Sequence, residues 1–205
     1  LAQARTEAVT VLVDTTDVMV RSGDEGDIIP SQVCPSIDVR RKGEISFSST
    51  SHRLTFFVTV PALGMKTVFV GSSSDVEDDG GGRAQKCTIT QLGDDRAELR
   101  WGNNEAEQYK THDNPCIANP HLIACFSAST GLLASISSKS DEQTVELKED
   151  FASYQSSKSG SYVFKPDSGP IPDSTDIHSV IFTGPIFSEV YSLIHQEIRR
   201  SAKLY

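Results

Sequence analysis

Short apolar runs rich in β-branched residues recur along the chain, and turn-forming residues separate them. Such runs are typical of β-strands, and no segment shows the sustained i, i+3, i+4, i+7 apolar spacing of an amphipathic helix. Residues 145–154 fit either helix or strand. The pattern predicts strands at residues 6–13, 17–20, 28–37, 53–60, 65–70, 87–91, 96–101, 161–164, 179–183, 186–194 and 198–205.

Two of the connections carry clear turn signals. Residues 61–64 (PALG) join the strands at 53–60 and 65–70, which predicts a hairpin or a β-corner. Residues 121–137 predict a hairpin whose turn places Gly131 where a positive φ is easiest. Many short strands with turns between them predict an all-β fold built from β-sandwich domains.

The segment 71–83 is acidic and rich in glycine, and it is the best candidate for a domain boundary or a long surface insertion. Its acidic run, residues 75–79, is interpreted as a solvated loop rather than a metal site. We therefore expect one domain at residues 1–83 and a second at residues 84–205.

The formal net charge is −9, from 28 acidic and 19 basic side chains. This balance argues against nucleic acid as a partner, because phosphate neutralisation needs clustered Lys and Arg. No apolar run approaches the roughly 20 residues that span a bilayer, so we expect no membrane contact from this segment. Residues 1–13 lack the apolar core of a signal peptide, and the start resembles a processed or excised boundary.

The four cysteines form no CxxC pair and do not fit the ligand spacing of a zinc finger or ribbon. An even number allows up to two disulfides in an oxidising compartment, with three possible full pairings. Buried free thiols are the alternative, and both stay open at this stage. The cysteines are Cys34, Cys87, Cys116 and Cys125.

Common catalytic motifs are missing from the sequence: there is no HExxH, no GxSxG and no phosphate-binding P-loop. The adjacent pair His112 and Asp113 is a weak candidate for orienting a metal or a proton, and a surface position explains it better. The carboxylates lie in turns and acidic loops, and no pair stands out for acid–base chemistry.

Six blocks, in the same order along nearly the whole chain, resemble segments of the family 38 glycoside hydrolases, the retaining α-mannosidases, with the Golgi type most similar. The blocks are LAQARTEAVTVLVD (residues 1–14), IIPSQVCP (28–35), RLTFFVTVPALGMKTVFV (53–70), FSASTGLLASI (126–136), SSKSGSYVFKPDSGPIP (156–172) and GPIFSEVYS (184–192).

The resemblance implies the β-domain portion of a retaining α-mannosidase that hydrolyses α-mannosidic bonds of N-glycans. Residues 1–83 would be a small β-sandwich-like domain and residues 84–205 the start of a larger β super-sandwich. The partners it implies are a mannose-containing glycan and the N-terminal catalytic barrel and helical bundle of the same protein. Zinc and the catalytic aspartates are expected on that barrel, so no catalytic residue and no metal ligand is assigned here. The implied location is the lumen of the secretory pathway, in the Golgi, with the lysosome or the cell exterior as alternatives.

One substrate-binding role does follow from the resemblance. The family's Ser-Gly-Ala-Tyr block matches residues 159–162, with Ser161 in place of Ala, and its Tyr helps to hold the substrate sugar. The resemblance therefore implies substrate binding by Tyr162, with Gly160 allowing close approach of backbone to a ligand or neighbouring domain. The alternative is that Tyr162 fills a sandwich core and hydrogen-bonds a carbonyl.

Two other functions stay open from the sequence. A non-catalytic carbohydrate-binding module would stack sugar rings on exposed Trp101, Tyr109 or Tyr154. A purely structural or interaction domain would have kept the fold without the chemistry, and the weakly matching middle of the chain leaves room for it.

Overall fold

The computed structural model describes residues 3–23, 26–39, 45–73, 82–92, 100–101, 104–105, 107–109, 114–172, 177–194 and 198–205. Nearly all regular structure in these residues is β-strand, arranged in several sheets, which confirms the predicted all-β sandwich fold. Within the same ranges, no helix is long and apolar enough to cross a membrane.

The strands are β1 (Arg5–Val13), β2 (Val18–Ser22), β3 (Ser31–Val39), β4 (Ile45–Val60), β5 (Val68–Ser72), β6 (Gln85–Lys86), β7 (Thr88–Leu92), β8 (Arg100–Trp101), β9 (Asn104–Glu105), β10 (Glu107–Tyr109), β11 (Cys116–Ala118), β12 (Leu122–Phe126), β13 (Leu133–Ser138), β14 (Thr144–Glu146), β15 (Ala152–Ser153), β16 (Ile171–Pro172), β17 (Ile177–Thr183), β18 (Ser188–Ile194) and β19 (Ile198–Leu204).

Three larger sheets organise these strands. The first has the order β1-β4-β3-β6, the second β10-β7-β17-β18-β19 and the third β11-β12-β13-β14. The pairs β2-β5, β8-β9 and β15-β16 form small sheets of their own. Pairing is antiparallel in most places, and the parallel pairs β3–β6 and β7–β10 are the exceptions among the described strands.

The second sheet is the central layer, because its two faces contribute to two different apolar clusters. Along β17, Phe182 packs with Leu54 and Phe56 of the first sheet, and Ile181 packs with Phe126 of the third sheet. Successive side chains of a strand point to opposite faces, so adjacent residues enter different clusters. This arrangement explains why every residue of β18 is buried.

Most of the predicted strands are found. The predictions for residues 6–13, 179–183 and 198–205 are confirmed as β1, β17 and β19. The predicted hairpin at 121–137 is confirmed as the antiparallel pair β12–β13, and Gly131 has a φ of 66° in its turn. Residues 145–154 contain the short strands β14 and β15 and no helix.

The hairpin alternative for residues 53–70 is wrong, and the corner is correct. β4 pairs with β1 and β3, whereas β5 pairs with β2 in a separate sheet. The chain therefore changes sheets at residues 61–64. Local turn residues cannot distinguish these two cases, because a hairpin and a corner use the same turn-forming residues and differ only in the strand with which the second segment pairs.

The cysteine pattern resolves into one disulfide and two free thiols. Cys116 and Cys125 are bonded across the antiparallel pair β11–β12. Cys34 and Cys87 are buried and free. The predicted solvated loop at residues 75–79 lies outside the described residues, as do His112 and Asp113.

The predicted domain boundary between residues 83 and 84 stays a prediction. The larger apolar cluster contains side chains from both sides of it, such as Val33 and Leu54 on one side and Ile89 and Leu193 on the other.

Candidate functional site

Residues 151–172 leave the three sheets as a nearly fully exposed segment, which we call the exposed arm. Its base is the antiparallel pair β15–β16, in which Ala152 pairs with Pro172 and Ser153 with Ile171. Because so little of its surface is buried, packing against the sheets contributes little to the conformation of the arm. Its conformation depends on hydrogen bonds within the arm.

A serine–aspartate clasp holds the middle of the exposed arm. Both carboxylate oxygens of Asp167 accept from Ser157, one from its backbone N–H at 2.7 Å and one from its hydroxyl at 2.9 Å. The backbone N–H of Asp167 donates to the carbonyl of Gln155 at 2.9 Å. Hydrogen bonds that involve an ionised carboxylate are stronger than those between neutral groups.

A second set of contacts lies closer to the tip of the arm. The Ser156 hydroxyl donates to the carbonyl of Lys165 at 2.8 Å, and the Lys165 backbone N–H donates to the Ser159 hydroxyl at 2.8 Å. Gly160 and Val163 exchange backbone hydrogen bonds of 3.1 and 3.3 Å. These contacts close a tight turn at the tip.

The strand predicted at residues 161–164 is therefore wrong, because this segment is the turn at the tip. The apolar residues Tyr162, Val163 and Phe164 have strand-like propensity. The surrounding serine side chains instead offer the backbone local hydrogen-bond partners, which favours a turn.

Tyr162 stands at this tip with a relative exposure of 101%. The alternative in which it fills a sandwich core is wrong. The neighbouring ring of Phe164 is 66% exposed and packs edge-on against Tyr154, with 5.4 Å between ring centroids. The arm therefore exposes Tyr162 completely, whereas the rings of Tyr154 and Phe164 pack against each other.

Gly160 precedes the turn, and a Cβ placed there would meet no atom of the described residues within 4 Å. Its predicted role, close approach to a ligand or a neighbouring domain, is not tested by contacts inside this chain and stays a prediction.

The chemistry available at the tip is that of binding. A free tyrosine offers an apolar ring face for stacking and a hydroxyl that both donates and accepts. The carboxylate of Asp167 in the arm already accepts from Ser157, and Glu149, which precedes the arm, accepts from Arg200 at 2.6 Å. In the described ranges, no group of three or more His, Cys, Asp or Glu is placed to hold a metal ion.

The aromatic residues predicted for a binding module have different environments. The expectation of an exposed Trp101 is wrong, because the side chain is 6% exposed and its Nε1–H donates to Nδ1 of His52 at 3.2 Å. Burial, together with the charge of Lys86, holds the pKa of His52 below its usual value, which favours the neutral ring that accepts this bond. Tyr154 is 45% exposed. The side chain of Tyr109 lies outside the described part of the structure.

A cleft of about 410 Å³ lies between the first sheet and the central sheet. Arg53 donates to Glu189 in it at 2.9 Å, and Lys203 lies 3.7 Å from the same carboxylate. One carboxylate thus faces two cations, and Arg199 adds a further positive charge to the lining, so the cleft carries a net positive charge. Its lining residues are Leu12, Ser36, Ile37, Ser51, Arg53, Glu189, Tyr191, Arg199 and Ser201.

Gln32 forms another contact that sequence reasoning missed. Its Oε1 accepts from the backbone N–H groups of Ile186 and Phe187 at 2.9 and 3.1 Å, and its Nε2 donates to the Phe187 carbonyl at 3.2 Å. A Cβ on Gly184 would lie 2.4 Å from this amide, so only glycine fits there. The available signal was a polar residue inside an apolar run, which a folded core tolerates when hydrogen bonds satisfy it.

Comparison with known proteins gives three related sequences and no matching family model. The chain is 28% identical to alpha-mannosidase 2 of Arabidopsis thaliana over 193 residues, which cover 93% of the chain. It is 23% identical to alpha-mannosidase 2 of Spodoptera frugiperda in an alignment of 229 positions, gaps included, that spans the whole chain. It is 38% identical to alpha-mannosidase 2x of Mus musculus over 93 residues, which cover 40% of the chain.

These similarities relate the chain to the mannosidases of glycoside hydrolase family 38. The chain spans 15%, 18% and 8% of the lengths of these three relatives.

Proposed function

We propose that this chain is the β-domain portion of a retaining α-mannosidase, of the Golgi type, that hydrolyses α-mannosidic bonds of N-glycans. In this proposal the sheets support the N-terminal catalytic barrel and helical bundle of the same protein. The exposed arm carries Tyr162 to the substrate, where the phenol contacts a mannose residue.

One observation carries the proposed contact: Tyr162 is fully exposed on an arm whose own hydrogen bonds hold its shape. A solvent-facing tyrosine that contributes nothing to a core has a side chain available for a ligand. The sequence similarity to mannosidases supports a sugar as that ligand.

The proposal places the hydrolytic chemistry on the barrel. The described residues offer no set of ligands suited to zinc, so we assign no zinc-dependent step to them. In the complete enzyme, zinc and the nucleophilic and acid–base carboxylates are expected to belong to the barrel. This chain's own contributions are to bind the sugar and to position the arm.

The proposed location is the lumen of the secretory pathway, in the Golgi. The disulfide between Cys116 and Cys125 supports a compartment that permits disulfides, since these bonds are rare in the reducing cytosol.

The test is substitution of Tyr162 in the full-length enzyme. Tyr162→Phe removes only the hydroxyl, and loss of one hydrogen bond is expected to reduce kcat/KM on a mannoside about five- to tenfold. Tyr162→Ala also removes the ring and is expected to reduce it about a hundredfold. Steady-state kinetics measures both effects.

Tyr154→Phe is the matched control, because Tyr154 lies on the same arm and its ring packing survives the change. Its kinetics should equal those of the unchanged enzyme. If Tyr162→Ala leaves both kcat and KM unaltered while the arm keeps its structure, the substrate role of Tyr162 is wrong.

A second candidate is a carbohydrate-binding module that works without a barrel, and the exposed rings of Tyr162 and Phe164 favour it. Calorimetric titration of this chain with mannosides separates the two functions. Binding by the chain alone supports the module, and binding that needs the complete enzyme supports the main proposal. Trp101 is a poor reporter for this titration because it is buried.

The mass of the native protein tests the same distinction. A native mass far above 22.3 kDa, with zinc bound, supports a mannosidase assembled from barrel, bundle and β domains. A native mass near 22.3 kDa, with no tight partner, contradicts it.

A further inference from the structure

The two free cysteines meet at the edge of the first sheet. Strand β3 runs parallel to β6, with Gln32 opposite Gln85 and Val33 opposite Lys86. The next opposed positions in this register are Cys34 and Cys87. The backbone N–H of Cys87 also donates to the carbonyl of Val33 at 3.0 Å, which fixes the two chains side by side at this level.

Both thiols are enclosed by the larger apolar cluster. Cys34 is 0% exposed and Cys87 is 6% exposed. The amide of Gln32 donates a hydrogen bond to the Cys34 sulfur at 3.3 Å. Burial raises the pKa of Cys34, but the neighbouring side chains of Cys87 and Gln32 and the charge of Arg53 outweigh burial, so that its pKa lies below the ordinary value.

We propose that Cys34 and Cys87 form a second disulfide when the protein folds in an oxidising compartment. Three observations support the bond: the opposed register, the backbone hydrogen bond that holds Cys87 beside Val33, and the disulfide already present between Cys116 and Cys125. The last of these indicates that the chain folds where thiols are oxidised.

A glutathione-type disulfide is the oxidant in this reaction. The Cys34 thiolate attacks one sulfur of oxidised glutathione, which breaks that S–S bond and releases one glutathione thiolate. Burial raises the pKa of Cys87, so its thiolate forms when β6 separates from β3 and the thiol meets water. This thiolate attacks the Cys34 sulfur of the mixed disulfide and releases the second glutathione. The two protein thiols lose two electrons and two protons, and these leave on two molecules of reduced glutathione.

Access to the buried pair comes from the edge of the sheet. β6 is two residues long and is the outer strand of the first sheet, paired with β3 alone among the described strands. Short edge elements open locally at low free energy. The bond therefore closes during folding, or slowly in the folded protein when β6 separates from β3.

The bond would join two layers of the fold. Cys87 directly precedes β7 of the central sheet, whereas Cys34 lies within β3 of the first sheet. The link would also cross the predicted boundary between residues 83 and 84.

The test is peptide mapping of the full-length protein after incubation with a glutathione redox buffer, in urea below the unfolding midpoint. Free thiols are alkylated under denaturing conditions before any reduction, and trypsin then releases Cys34 in residues 22–40 and Cys87 in residues 87–96. The expected product is these two peptides joined, lighter by two hydrogen atoms than their sum. Reduction should separate them.

The same digest contains its own control, because Cys116 and Cys125 fall together in residues 111–139. The proposal is wrong if this peptide is oxidised while Cys34 and Cys87 are both alkylated as free thiols. It is also wrong if either cysteine is joined to Cys116 or Cys125. The single variants Cys34→Ser and Cys87→Ser should each lose the joined peptides and leave the remaining thiol fully alkylated.

Discussion

At the scale of single residues, the carboxamide of Gln32 binds backbone groups that lie 154 and 155 positions further along the chain. It is completely buried, and its oxygen and nitrogen satisfy three backbone groups at Ile186 and Phe187. Buried polar groups that lose their partner cost about 1–3 kcal/mol each. These hydrogen bonds therefore fix the backbone that directly precedes β18.

We predict that Gln32→Leu destabilises this junction by about 3–5 kcal/mol, because three buried backbone groups lose their partner. Hydrogen–deuterium exchange of peptides covering residues 177–194 measures the effect as a loss of protection of more than about a hundredfold. Gln85→Leu is the control, since Gln85 lies opposite Gln32 in the sheet but is exposed. Equal protection in Gln32→Leu and the unchanged protein would contradict the prediction.

At the scale of elements, the exposed arm has a defined shape with little buried surface. Asp167 and Ser157 close its middle, and Gly160 and Val163 close its tip. Removal of these contacts should affect the arm without affecting the sheets, since their core clusters contain no residue of the arm.

We predict that Asp167→Ala loosens the arm and changes the stability of the sheets by less than about 0.5 kcal/mol. Exchange at the amides of Ser157 and Lys165 should accelerate, and kcat/KM of the full-length enzyme should fall toward that of Tyr162→Ala. The control is Asp141→Ala in the β13–β14 turn, where the carboxylate is also exposed and accepts from its own turn. Unchanged amide exchange in Asp167→Ala would mean that the clasp does not hold the arm.

Sequence patterns predicted those elements whose causes are local. The hairpin β12–β13 was predicted because Gly131 supplies the positive φ its turn needs. The turn at residues 161–164 was missed because its determinants, Ser156 and Asp167, bond across the arm rather than within the apolar run.

Contacts between segments that are far apart in the sequence could not be predicted from the pattern of hydrophobic and polar residues. Nothing local indicates that Gln32 meets Phe187, or that β5 pairs with β2 rather than with β4. The substrate role of Tyr162 came from resemblance, and the structure adds the exposure that such a role requires.

At the scale of the whole molecule, a buried ion pair joins the first sheet to the central one. Arg53 of β4 contacts Glu189 of β18, whose side chain is 4% exposed, and the Ser201 hydroxyl of β19 donates to the same carboxylate at 2.5 Å. Removal of one partner of a buried ion pair is strongly destabilising, because the other charge stays buried without a counter-charge.

We predict that Glu189→Gln destabilises the packing of the two sheets by about 3–5 kcal/mol. Urea unfolding of the region, followed by hydrogen exchange in β4 and β18, measures the loss. Glu7→Gln is the control, because Glu7 forms an exposed ion pair with Arg5 and such pairs contribute about 0–1 kcal/mol. Equal effects of the two substitutions would show that the buried pair contributes no more than a surface pair.

The tip of the exposed arm has a consequence for how this protein changes over evolutionary time. Among the described residues, Tyr162 contributes to no core, so under the proposed function its replacement changes recognition and leaves folding unaffected. The residues of β18 are all buried, so their replacement disturbs packing on both faces of the central sheet. Under the proposed function, new specificities can therefore arise at the tip by single substitutions while the sheets stay unchanged.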